Sequence, residues 1–336
     1  MLVESTVMSL SWIPSESITG LLRRGFDLGI SHYDDPPPDH LPDVATLHAL
    51  RDADAFRFAN VLAGWARFDD DDGSVLESGF DASSGLVMGS TTVRLAGLGA
   101  TFRATSLPVR RAEPVIEGTS VRLVQTAGGR TGVPLPRPVP HPPFAVWQAP
   151  VVWTTLALTL HADGRAEMSL PGASAFPRHW LYGPDGRLTA KTGLTDQESW
   201  VAHSFGPRTP WGDQDSPALV TAAESELERQ LSAVVMRGSA PPEVRRLPTG
   251  TVVTRQGDPG DEVYLLLDGV LAVEVDGRRL GELGPGAVLG ERALLEGGVR
   301  TSTVVATTPV RLAVAAATTI DREALRALAA GHRRED

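Results

Sequence analysis

Short apolar runs alternate along this chain with clusters of glycine, proline and aspartate, a pattern that predicts strands far more often than helices. Val151 to Leu160 is β-branched and aromatic-rich, and Ala162-Asp163-Gly164-Arg165 follows as a turn before another strand. His179 to Tyr182 runs into Gly183-Pro184-Asp185-Gly186 and then Arg187 to Ala190, a second hairpin. Leu86 to Ala96, Gly97-Leu98-Gly99 and Ala100 to Leu107 predict a third. Such spacing belongs to a meander that closes into an antiparallel barrel or packs as a sandwich. Helical periods are fewer: Ser15 to Arg24, Asp43 to Asp52 and Thr195 to Ser204. The clearest helix is Ser216 to Met236. Ser216 suits an N-cap, Pro217 the first helical position, and Leu219, Val220, Ala223, Leu227, Leu231, Val234 and Val235 recur on one face.

Two punctuated stretches break the pattern, Pro134 to Pro143 and Gly238 to Pro242. The second divides two textures. It predicts a β-rich N-terminal domain over 1–237, ending in the 216–236 helix as a connection, and a C-terminal domain over 241–336. From Leu247 onward, short β-rich runs alternate with Gly250, Gly257, Gly260, Gly269, Gly277, Gly281, Gly284 and Gly286, the pattern of a β jelly roll with glycines at its corners. The fold class is therefore mainly β with some α.

Within that domain two motifs stand out. The first is Gln256-Gly257-Asp258-Pro259-Gly260-Asp261, followed by Tyr264 and Gly269. The second is Gly290-Glu291-Arg292-Ala293-Leu294-Leu295, followed by Arg300-Thr301-Ser302-Thr303-Val304. The pair resembles the cyclic-nucleotide-binding domain shared by catabolite-activator-type regulators and cyclic-nucleotide-dependent kinases and channels. The second motif is similar to that family's phosphate-binding cassette in residue type and spacing. The resemblance covers Leu247 to Ala315 and implies a receptor for a cyclic purine monophosphate, cAMP or cGMP.

The chemistry of these residues suits such a ligand. A cyclic phosphate carries one negative charge and no metal, so it needs a fixed cation and oriented N–H donors. Arg300 offers a planar fork for two phosphate oxygens, and the helical turn near Arg292 and Ala293 would aim N–H groups at the same charge. Glu291 suits a ribose 2′-hydroxyl, and Gly290 admits close backbone approach. Val288, Leu289 and Leu294, with Val275 and Leu280, are the expected apolar floor. Thr301 and Ser302 follow the arginine, and a hydroxyl there does not decide between adenine and guanine. The alternative is a ligand-free domain in which Glu291 and Arg300 simply pair.

Composition narrows the rest. The chain has 336 residues and no cysteine, which excludes disulfides, thiolate metal sites and cysteine nucleophiles. A net charge of −10 without a basic face argues against nucleic acid. The longest apolar stretch, Ala149 to Leu160, is about a dozen residues, short of a membrane span. With no basic, apolar leader in Met1 to Leu10, the expected location is cytoplasmic. Lys191 is the one lysine among many arginines, and with abundant Ala, Gly and Pro this suggests a GC-rich bacterial source.

The N-terminal domain matches no recognised pattern. Ser31 to Pro38 holds His32 and Asp34 ahead of a proline run, and His161, His179 and His203 are too far apart in sequence to specify a metal site. Asp69 to Asp72 reads as a solvated hairpin tip rather than a calcium loop, and Thr126 to Gly132 as a turn rather than a phosphate cradle. The seven tryptophans, Trp12 to Trp211, are packing residues by default, or the lining of a barrel that holds an apolar ligand. These readings favour a non-enzymatic cyclic-nucleotide receptor whose N-terminal domain is the output module, with a homo-oligomer or protein partner contacted through it. The alternatives are an enzyme gated by the nucleotide and a scaffold with a vestigial sensor. Any nucleic-acid, membrane or metal partner is not expected.

Overall fold

The structure, a computed structural model, describes residues 1–18, 20–29, 32–95, 98–138, 142–192, 220–222, 226–237, 242–295, 298–316 and 326. They fall into two compact units. The first contains Met1–Pro14 and Gly20–Ala190; the second contains 15–18, 191–192 and the described residues from 220 onward.

The first unit is built on two antiparallel sheets. In one, the strands Leu188–Thr192, Arg178–Tyr182, Leu2–Trp12, Phe58–Phe68 and Val75–Phe80 lie in that order, with Gly85–Met88 also on Phe58–Phe68. In the other, Ala166–Ala173, Val151–His161 and Ser120–Arg130 lie side by side, and three short strands edge the last of them. No barrel closes. Side chains alternate across each strand. Met8, Leu10, Trp12, Ala59 and Val61 join one cluster with Leu47 of the helix Val44–Asp52, while Ser9, Asn60 and Gln125 point the other way. There Ser9 Oγ lies 2.7 Å from Thr154 Oγ1, Asn60 Nδ2 donates to Thr154 O at 3.0 Å, and Gln125 Nε2 donates to Asn60 Oδ1 at 2.8 Å. A fully buried polar network thus joins the two sheets, each member satisfied as burial demands.

Several sequence expectations shift here. Leu86 to Ala96 is not one strand: it breaks at Gly89-Ser90, so that Gly85–Met88 pairs with Phe58–Phe68 and a separate hairpin forms from Thr91–Leu95 and Leu98–Phe102. Thr126 to Arg130 is no turn but the end of the strand Ser120–Arg130, paired with Val151–Thr155. Gly128 sits there because a side chain would overlap Trp153 and the Val152 carbonyl. Trp12 and Trp180 pack edge to face at 4.9 Å in the core and line no ligand barrel. The Asp69–Asp72 stretch caps its hairpin, Asp69 Oδ1 accepting from Asp71 N and Asp72 Oδ1 from Ser74 N. Ser15–Ser17 is a single 3-10 turn, with the helix proper at Gly20–Asp27. Thr195 to Ser204 lies outside the described residues.

The second unit contains two four-stranded antiparallel sheets, the two halves of a jelly roll. One has the order Glu243–Leu247, Val310–Ala316, Glu262–Asp268, Val288–Leu289; the other has Val252–Thr254, Thr303–Ala306, Leu271–Val275, Arg278–Leu283. The apolar run from Val263 to Leu267 follows from burial on both faces of its strand. Tyr264 and Leu266 enter the interior with Leu271, Val304 and Leu312. Val263, Leu265 and Leu267 face outward, against Leu231 and Met236 of the helix Glu226–Arg237. That helix is the described part of the expected Ser216–Met236 helix. Val220–Ala222 is a strand instead, in keeping with its β-branched residues. Beyond Ala316 the structure describes only Arg326, which is helical. Among the described residues no helix is long and apolar enough to cross a membrane.

His179 is fully buried, its Nδ1 2.6 Å from Ser11 Oγ and its Nε2 2.8 Å from Ser174 O. Burial pushes its pKa down to about 4 from an ordinary 6.5, so the folded chain holds it neutral. Below pH 6.5 the unfolded chain takes up the proton that the folded chain refuses. Stability is therefore full above about pH 6.5 and falls until about pH 4, by a few kcal/mol at about 1.4 kcal/mol per unit. Urea denaturation at stepped pH should show this loss, and His179→Asn should flatten the profile over that window.

Candidate functional site

The two motifs of the C-terminal domain are brought together by main-chain hydrogen bonds. Arg300 N donates to Asp258 O at 2.8 Å, Gly257 N to Arg300 O at 2.9 Å, and Gly260 N to Gly298 O at 2.9 Å. Pro259 and Val299 form a bridge between them. The segment 256–261 is thus the partner strand of 298–300. On the other side, Val288–Leu289 pairs with Leu265 and Tyr264, Gly290 turns the chain at φ 88°, and Glu291–Leu295 forms one helical turn and a little more.

Arg300 ends up in the middle. It is 6% exposed. Its Nη1 donates to Glu262 O at 2.9 Å, and its Cζ lies 5.3 Å from the centroid of the Tyr264 ring. A side chain on Gly260 would overlap Nε and Cζ, and one on Gly290 would overlap Nη1. Both glycines, one from each motif, are therefore space for the guanidinium. Among the described residues Arg300 forms no ion pair, with Glu291 or any other carboxylate.

A cavity of about 240 Å³ opens beside it. Of the residues expected at the site, Val288, Leu289, Gly290, Glu291, Arg292, Ala293, Arg300, Thr301 and Ser302 line this cavity. Leu294 does not. One position beyond Ala293 on the helical turn, it points to the back of the sheet and packs with Leu231, Val263 and Val288. Val275 and Leu280 are also absent from the lining, their expected places taken by Val273 and Leu283 with Val304 and Thr254. Val275 lies two residues beyond Val273 on the same face of its strand, outside the lining. Leu280 alternates with Gly281 and Leu283, which oppose Val273 and Leu271, so it falls on the outer face; it is also the residue that a bulge leaves unpaired, and it is 48% exposed. Glu291, with the first turn of its short helix, is buried at the cavity wall. Thr254 Oγ1 donates to Ser302 O at 3.2 Å and fixes the strand edge beneath the hydroxyl-bearing residues.

The histidines of the first unit do not converge. His161 lies 3.7 Å from Glu167 at a strand end, His179 is enclosed as described, and His203 falls outside the described residues. His32 and Asp34 do come together. Asp34 is buried and receives Arg57 Nη2 at 2.6 Å, while His32 Nε2 lies 3.5 Å from Asp54 Oδ2 beside a cavity of about 320 Å³. Burial pushes the Asp34 pKa up, and Arg57 pulls against it. Among the described residues no group of three or more His, Asp or Glu is arranged to hold a metal.

Residues 244–331 match the family described as the cyclic nucleotide-binding domain, and no family covers the residues before them. A cyclic nucleotide-gated potassium channel of Mesorhizobium japonicum is 43% identical over 68 residues, 20% of this chain and 19% of that one. The cGMP-dependent protein kinase egl-4 of Caenorhabditis briggsae is 39% identical over 67 residues, 20% of this chain and 9% of that one. A CRP-like cAMP-activated global transcriptional regulator of Mycobacterium tuberculosis is 36% identical over 84 residues, 24% of this chain and 35% of that one. The chain spans about a fifth or less of the length of the first of these relatives. A solved structure of the second cyclic-nucleotide domain of a protein kinase A regulatory subunit with a bound cAMP analogue covers 31% of this chain and 67% of its own, at 21% identity and a TM-score of 0.26.

The crowding around Arg300 has a direct consequence for stability. Gly260→Ala should destabilise the second unit by about 1–3 kcal/mol, the usual cost of overpacking a filled site. Gly281→Ala, where a new methyl meets nothing within 4 Å, is the matched control. Thermal unfolding of both variants checks the difference.

Proposed function

We propose that this chain is a receptor for a cyclic purine nucleotide, and that nucleotide binding in the second unit modulates the N-terminal domain. One observation carries the reading. Among the described residues, Arg300 is a nine-tenths-buried cation at a cavity wall that forms an ion pair with no carboxylate. A buried charge without a counter-ion is costly, and a phosphate in the cavity supplies one. Glu291 stands in the same wall to accept a ribose hydroxyl, with Val273, Leu283, Leu289 and Val304 as the apolar side for sugar and base. The first-turn N–H groups of the cassette helix, which lack intrahelical acceptors, complete the phosphate's surroundings.

The coupling route starts from the helix Glu226–Arg237. Glu228 accepts a hydrogen bond from Val288 N at 3.3 Å, two residues before Gly290, and Leu231 and Met236 cover the back of the strand that carries Tyr264. A nucleotide that re-seats the cassette shifts the equilibrium of that helix, and with it the N-terminal domain. A nucleotide-gated enzyme is the second reading. The observation that favours it is the cavity at His32 and Asp54.

Calorimetric titration with cAMP and with cGMP tests the receptor. Saturable binding is expected, weakened by one to two decades in Arg300→Ala, since a charge-assisted hydrogen bond contributes about 1.5–3 kcal/mol. Glu291→Gln should narrow the preference for the ribonucleotide over its 2′-deoxy analogue. Absence of heat and of thermal stabilisation with either nucleotide would leave a scaffold with a vestigial sensor.

A further inference from the structure

Glu262 poses a problem for any anion site built on Arg300. Its backbone carbonyl accepts from Arg300 Nη1, so its carboxylate is carried beside the same guanidinium, close enough for the two charges to interact. Left free, that carboxylate would compete with a phosphate for Arg300. It is not free. Arg245, from the strand Glu243–Leu247 two places away in the sheet, donates Nη1 to Glu262 Oε2 at 3.0 Å and Nη2 to Oε1 at 2.8 Å. Tyr264 Oη donates to Oε2 at 2.7 Å. Both oxygens of Glu262 thus have donors of their own, while the Tyr264 ring, tethered through its hydroxyl, lies under the guanidinium.

Other groups near Arg300 do not share this role. Asp258 and Asp261 line a second, polar cavity together with Glu262, Tyr264 and Arg300, yet neither carboxylate forms an ion pair with Arg300. Glu243 is engaged by Arg245 Nε at 2.8 Å, so Arg245 bridges two acids at once. The paired geometry holds Glu262 as a carboxylate, its pKa lowered chiefly by the hydrogen bond from Arg245. Burial, with the bond to Glu262, holds the Tyr264 hydroxyl protonated and therefore a donor.

We infer that Arg245 is a positioning residue of the phosphate site: by occupying both carboxylate oxygens of Glu262 it leaves the Arg300 guanidinium available to the anion, with Tyr264 as its support. This rests on the receptor reading above. It assigns a role to a residue outside both motifs and outside the cavity.

The test is a set of cAMP affinities measured on the full chain. Arg245→Met should weaken binding about fivefold, and the double variant Arg245→Met/Glu262→Gln should return it to within twofold of wild type. Rescue by removing the rival charge is the signature that mere loss of packing would not give. Tyr264→Leu should weaken binding about fivefold, the scale of one cation–π support, with no further loss in an Arg300→Ala background. Arg245 is partly exposed at its strand edge, so its substitution leaves the core intact. Wild-type affinity in Arg245→Met, or no rescue in the double variant, overturns the inference. If wild type itself binds neither cAMP nor cGMP, the receptor reading has failed instead.

Discussion

The site turns on the enclosure of one guanidinium. Arg300 occupies space that two glycines from distant motifs leave open, rests on an aromatic ring, and uses one N–H on a backbone carbonyl. Each of these neighbours is held in turn by the sheet. Tyr264 and Glu262 belong to the strand paired with Val310–Ala316 on one side and Val288–Leu289 on the other. The turn that supplies Gly260 is laced to 298–300 through three main-chain bonds. A buried cation can be kept in this way only if its surroundings are rigid and its remaining donors have a destination. Rigid strands provide the first, and the cavity provides the second.

How much of this was legible in the sequence depended on whether the information was local. The cassette and the 256–261 turn are contiguous, so residue type and spacing pointed to Arg300, Glu291 and Gly290 directly. The helix Glu226–Arg237 could be found from its period, although Val220–Ala222, within the span expected to be helical, is a strand. The cavity's other wall was not readable. Val273 and Leu283 stand in the wall in place of the expected Val275 and Leu280: Leu280 is on the face opposite Leu283, and Val275 is on Val273's face but one step further along, so the wall depends on a pairing register that sequence order does not reveal. Leu294 was misplaced for a similar reason: in a helix of five residues the inward face is set by tertiary contact and not by period.

Arg245 and Glu262 mark a different limit. They meet because two strands far apart in order are separated by only one other strand in the sheet. Sequence order does not reveal sheet order, and 17 positions separate the two residues along the chain. The first unit shows the same limit in its core. Ser9, Asn60, Gln125 and Thr154 lie on four separate strands, yet they form one buried network. Alternation could assign each to a face, but only the packing of one sheet on another could make them partners.

The second unit also draws on parts of the chain remote from its own motifs. Ser15, Glu16 and Ser17 are buried in it, and Lys191 is buried there with its ammonium on the Pro285 carbonyl. Pro285 lies in the turn where Gly286 N donates to Leu266 O, beside the strand that holds Tyr264. A buried lysine with a carbonyl acceptor is tolerated only while that acceptor stays in place. The corner of the jelly roll next to the cavity is therefore fixed by a residue more than fifty positions upstream of the first motif. Arg300 touches Glu262 and Tyr264, their strand packs on the helix Glu226–Arg237, and the same strand is bonded to the corner that Lys191 secures.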